Sequence, residues 1–99
     1  SSFIGAGNSH CIASTGCASV IAGGSGNCIV GSCSGILGGK DNVVPASCDK
    51  VMIVGDGITA DRVCATFVNN LSIKNIPTAS TGLPSGSVWS NSGVLNIVA

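Results

Sequence analysis

Residues 19–44 read SVIAGGSGNCIVGSCSGILGGKDNVV, and they say nearly the same thing twice. Ile21-Ala22-Gly23-Gly24 runs into Asn27-Cys28-Ile29, and Ile36-Leu37-Gly38-Gly39 runs into Asn42-Val43-Val44. The pattern spreads in both directions. Ile4-Gly5-Ala6-Gly7 with His10-Cys11-Ile12 precedes it, and Ile53-Val54-Gly55-Asp56-Gly57 follows. Aligned on Ile4, Ile21, Ile36 and Ile53, the units are spaced by 17, 15 and 17 residues. Self-similarity at a short fixed period is the signature of a solenoid, in which each unit buries its apolar face only against its neighbours.

Each unit holds two short apolar bursts, such as Val20-Ile21-Ala22 and Cys28-Ile29-Val30. The bursts are too short and too β-branched for helices, and glycine breaks every helical window. Two strands per coil, turned by Gly-Gly and by Ser/Cys/Gly clusters, describe a narrow parallel β-roll. Asn27 and Asn42 are expected to support the left-handed turns and to hydrogen-bond along the stack. The repeat fades after Gly57, and residues 65–77, ATFVNNLSIKNIP, read as a strand ending at Pro77. A loop follows at 78–86, and then a hairpin with Val88-Trp89 and Val94–Val98 around Asn91-Ser92-Gly93. The expected organisation is all-β, with about four coils over residues 1–60 and a small C-terminal β segment over 61–99.

Composition excludes several functions. Four basic and four acidic residues leave no net charge, so nothing marks the chain for nucleic acid or an anionic membrane. No run approaches the ~20 apolar residues of a membrane span, and no signal peptide opens the chain. Because it starts at Ser1 without methionine, the sequence reads as a piece of something longer. Fifteen glycines and three aromatic residues leave few large side chains for a core, although 44% of the chain is hydrophobic. That imbalance suits a thin β architecture that covers its remaining apolar surface by association.

The residues that could carry chemistry are few. Gly38-Gly39-Lys40 is followed by Asp41 rather than Ser or Thr, and by no helix, so it is a turn and not a phosphate loop. Cys11, Cys17, Cys28, Cys33, Cys48 and Cys64 lack close metal-ligand pairs. Cys11 and Cys28 occupy equivalent repeat positions, and Cys17, Cys33 and Cys48 fall near the other corner. This periodicity favours cysteine as a small buried hydrophobe, with disulfides and a metal site as the alternatives. His10, the single histidine, is a polar turn residue or, in a trimer, one of three groups meeting on an axis to hold an ion. Trp89 is a hairpin anchor or a sugar-stacking platform, and with Asn91 beside it forms the candidate binding position. The aspartates are scattered, so no catalytic set emerges, and no cofactor is expected.

The units VIAGGSGNCIVGSCSG and ILGGKDNVVPASCDK resemble the head repeats of trimeric autotransporter adhesins. The continuation TFVNNLSIKNIPTASTGLPSGSVWSNSGVLNIV is similar to the C-terminal segments of phage and large-virus tail fibres. The resemblance implies a trimeric left-handed parallel β-roll followed by an intertwined β cap. By the same resemblance the chain is a non-enzymatic attachment segment of a virion, phage tail or cell-surface fibre. Its partners would be two further copies of itself and a cell-surface glycan or protein receptor, with no nucleic acid and no membrane insertion. Two features depart from the pattern: cysteines stand where Ala, Ser or Val is usual, and the unit length varies. The competing readings are a monomeric β-solenoid that binds glycan or ice, which wants a flat array of threonines or aromatics, and a glycan hydrolase, which wants a carboxylate pair.

Overall fold

A strand of two β-branched residues buries one side chain and exposes the other, so a coil built from such strands can add only one inward residue per side. The computed structural model describes residues 1–99, and its central coils follow this rule. Strands β1 (Phe3–Ile4), β3 (Val20–Ile21), β5 (Gly35–Ile36), β7 (Met52–Val54) and β8 (Thr66–Val68) form one parallel sheet in that order. Strands β2 (Cys11–Ile12), β4 (Cys28–Ile29) and β6 (Val43–Val44) form a second, opposite the first. Single bridges from Asn8 to Ser25 and from Ser25 to Lys40 add a short third ladder at one corner. The result is a β-solenoid of about four coils, with no helix.

The register is the one that the isoleucines define. Ile4 pairs with Ile21, Ile21 with Ile36, and Ile36 with Ile53. On the other sheet Ile12 pairs with Ile29, and Ile29 with Val44. Ile21, Ile36 and Ile53 therefore face Ile29 and Val44 across a core one side chain wide, closed by Val51, Cys48 and Ala60. These eight are the whole buried apolar core of the chain.

The uneven unit length has a local origin. In the first three coils the count from the repeat isoleucine to the polar corner residue is six, as in Ile21 to Asn27 and Ile36 to Asn42. The extra residues all lie in the opposite turn. There the longer coils insert a β-turn, closed by the Gly16 N–H on the Ala13 carbonyl at 2.8 Å and the Cys48 N–H on the Pro45 carbonyl at 3.0 Å. Coil length thus changes where the stack does not register it.

The stack continues beyond the end that the repeat suggests at residue 60. Strand β8 pairs with β7, and Phe67 takes the isoleucine position beside Ile53. A bridge from Val43 to Thr59 likewise extends the second sheet. Beyond Val68 the chain leaves the stack and returns as the antiparallel pair β9 (Val88–Asn91) and β10 (Val94–Ile97). Ser92 and Gly93 both have positive φ, of 52° and 89°, which is the two-residue turn whose twist matches the strands it joins. Asn91, expected in the turn, is the last residue of β9 instead.

Two columns of left-handed residues turn the corners. One comprises Ser9, Gly26, Asp41 and Gly57; the other Ala18, Cys33, Lys50 and Cys64. Asn27 and Asn42 therefore follow the left-handed position rather than occupying it. Gly24 (φ 95°) and Gly39 (φ 87°) are constrained twice, by conformation and by space. A methyl group on Gly24 would overlap the carbonyl oxygen of Gly39, whereas one on Gly23 would meet nothing. Gly24→Ala is expected to cost about 2 kcal/mol or more, and Gly23→Ala less than ~0.5 kcal/mol, read from urea unfolding midpoints.

Candidate functional site

The most organised polar feature of the molecule is internal. Asn27 and Asn42 are completely buried, and a buried primary amide must find partners for its oxygen and both N–H groups. The Asn27 amide donates to the carbonyls of Gly23 in its own turn and Gly39 in the next coil, both at 3.1 Å. Its oxygen accepts the Asn42 backbone N–H at 2.9 Å. Asn42 repeats the set one coil on, to Gly38 at 3.0 Å, Gly55 at 2.8 Å and the Ile58 N–H at 3.0 Å. At the far end Asn69 closes the last turn, accepting the Asp56 N–H and donating to the Asp56 carbonyl.

A second ladder runs along the opposite corner. The Ser34 N–H donates to the Ser19 hydroxyl oxygen, and the Val51 N–H to that of Ser34, both at 3.1 Å. Each hydroxyl donates back to a turn carbonyl, of Cys17 and of Ser32. These serines do not stand out by residue type, yet their signal is present in the sequence: Ser2, Ser19 and Ser34 each stand two residues before a repeat isoleucine.

His10 occupies the asparagine position of the first coil. Its Nδ1 accepts the Asn27 N–H at 3.4 Å, a longer bond than the asparagine oxygen makes one coil later. A ring nitrogen that accepts is unprotonated, which puts the proton on Nε2. Nε2 is buried and has no partner. The imidazole is thus the imperfect first rung of the ladder.

The six cysteines are free thiols, and they do not share one environment. Cys48 is buried in the core and Cys28 is half-buried, while Cys11, Cys17, Cys33 and Cys64 are exposed. The expectation of cysteine as buried filler therefore holds for Cys48 alone among the fully covered positions. Nor do Cys17, Cys33 and Cys48 form one column, because the inserted turn shifts them. Cys33 aligns with the left-handed residues Ala18, Lys50 and Cys64, and its N–H bonds the Cys17 carbonyl diagonally at 2.9 Å. Cys48 instead stacks against Gly31, where a methyl group would overlap the Cys48 carbonyl. Cys11 and Cys28 are direct partners on β2 and β4, as the repeat predicts. Burial, and then the neighbouring Cys11 thiol, push the Cys28 thiol above its ordinary range.

The exposed candidates lie elsewhere. Trp89 is half-buried on β9 opposite Asn96, and Asn91 is exposed opposite Val94. Near them a shallow hollow of about 330 Å³ is lined by Leu71, Ile73, Ile76, Ser90, Gly93 and Leu95. No group of three or more His, Cys, Asp or Glu side chains is placed to hold a metal ion. No helix is long and apolar enough to cross a membrane. Comparison with protein-family models, curated proteins and solved structures gives no match.

Asn42→Ala leaves two turn carbonyls and the Ile58 N–H without partners in a buried site, and is expected to cost at least about 3 kcal/mol in chemical denaturation. His10→Asn restores the repeated rung and is expected to be neutral or stabilising by up to ~1 kcal/mol in the same measurement. The raised Cys28 thiol has a definite sign. Its contribution to stability is intact below the ordinary thiol range of about 8.5 and is lost as pH rises through the higher folded value, because the unfolded chain ionises first. In native alkylation at pH 8, Cys28 is expected to react several-fold more slowly than Cys17, Cys33 and Cys64, followed by peptide mass spectrometry.

Proposed function

We propose that this chain is a structural and attachment segment of a homotrimeric fibre, on a virion, a phage tail or a cell surface. The observation that carries the reading is the outer face of the five-stranded sheet. Phe3, Val20, Leu37, Met52, Val54 and Val68 all point outward there, with Leu37 66% exposed. Parallel sheets in water normally have both faces covered, and this one carries an uncharged apolar face along its length.

The surface totals support the same reading. The accessible area is 5963 Å², against about 5,100 Å² expected for a compact monomer of this mass. The radius of gyration is 15.8 Å, against about 12.6 Å for a globular chain of this length. Residues 61–99 contain no buried side chain, and Leu71, Val94, Leu95 and Ile97 are each more than 60% exposed. A segment with that profile is completed by strands from other copies, which makes it an intertwined cap for the stack. Three chains with the apolar sheet turned to a common axis would leave β2, β4 and β6 facing solvent. The receptor would then be met by the loops or the distal hairpin, where Trp89 and Asn91 are the candidate contacts.

Light scattering during gel filtration tests it. The expected mass is three times the 9.6 kDa of one chain, falling towards a single chain when Leu37 and Val54 are both replaced by lysine. A single-chain mass for the unmodified protein at micromolar concentration would contradict the proposal.

A further inference from the structure

The repeat places one pair of thiols differently from the other four. Cys11 and Cys28 are in direct register on β2 and β4, and their side chains leave the same face of that sheet in the same direction. The Cys11 N–H on the Asn27 carbonyl and the Cys28 N–H on the Asn42 carbonyl, both at 2.9 Å, lock the two backbones. Neighbouring strands stand about 4.8 Å apart, and parallel side chains keep roughly that spacing between their β-carbons. The strand spacing lies within the Cα range of a disulfide, but thiols that leave in parallel directions do not reach the ~90° torsion that a disulfide wants. Two thiols side by side on neighbouring strands can instead share one soft cation between them. The parallel geometry that opposes a disulfide leaves both sulfurs on one face and suits a two-sulfur chelate.

We propose that Cys11 and Cys28 form a two-coordinate site for a soft monovalent cation of the Cu(I) class. Thiolate ligands select Cu(I), whereas zinc wants four ligands in a tetrahedron. A tetrahedral set is missing here, because no third His, Cys, Asp or Glu joins the pair. His10, next in sequence to Cys11, is turned into the ladder: its Nδ1 holds the Asn27 N–H and its Nε2 is buried. Val43 and Thr59 continue the same face beyond Cys28, so the site is bounded along the stack by groups that do not ligate. On binding, each thiol forms one sulfur–copper bond and gives its proton to solvent. Two protons leave for each Cu(I) bound, and no oxidation state changes. The site lies on the sheet opposite the apolar face and does not depend on trimer assembly.

The test uses the full chain carrying Cys17→Ser, Cys33→Ser and Cys64→Ser, which removes the other exposed thiols. All three positions are exposed, and Ser9 already shows serine in the left-handed conformation that Cys33 and Cys64 adopt. Cu(I), kept reduced with ascorbate, is titrated against a chromophoric Cu(I) chelator, and the bound ion is examined by X-ray absorption. The proposal predicts one tightly held Cu(I) per chain with two sulfur neighbours. Adding Cys11→Ser or Cys28→Ser should each weaken binding at least about a hundredfold, with the circular dichroism spectrum unchanged. Retention of the tight site in both of those variants, or no tight binding in the parent, would overturn it.

Discussion

Everything in the stack depends on a buried amide satisfying itself across two coils. Asn27 and Asn42 each hold a carbonyl of their own turn, a carbonyl of the next turn and an N–H of the next coil. One side chain therefore fixes the shape of a corner, the spacing between coils and the register of the strands that follow. Because a one-residue slip in a strand exchanges its buried and exposed faces, fixing register here also fixes the core. The glycines are consequences of the same constraint. Gly39 brings its carbonyl within reach of the Asn27 amide, and Gly24 and Gly39 alike hold a positive φ with no room for a side chain above them.

The rest of the architecture tolerates variation because this corner does not. The opposite turn takes two extra residues in some coils and not in others, and the serine ladder makes the same N–H to hydroxyl bond across both lengths. The asparagine is also replaceable at the ends. His10 accepts one bond in the first coil, and Asn69 enters from a later segment to close the last. These end rungs are less complete, as expected where a repeating structure meets its boundary.

Much of this was legible in the sequence. Ile4, Ile21, Ile36 and Ile53 gave the register, and the shared position of Asn27 and Asn42 gave the ladder. What was hidden had physical reasons. Phe67 substitutes for an isoleucine without the Gly-Gly turn after it, so a strand is legible over residues 65–77 but its place in the sheet is not. The cysteines at the variable turn could not be aligned by counting, since an inserted β-turn moves them out of step. Ser19 and Ser34 escaped notice because serine is common in turns, and only burial distinguishes a rung from a surface hydroxyl. Trp89 gave no signal of its own beyond being the single tryptophan, and its half-buried place on β9 follows from the hairpin register.

The molecule divides its two outer faces. One sheet presents an exposed apolar strip, and the other presents the paired thiols of Cys11 and Cys28. Both arrangements rest on strands kept in step by the asparagine column. Hydrogen exchange of side-chain amides, resolved by NMR, tests that column most directly. The Asn27 and Asn42 amide protons should exchange as slowly as the most protected backbone N–H groups of the core, and the exposed Asn91 amide should exchange quickly. Exchange of Asn27 and Asn42 at the Asn91 rate would contradict the account.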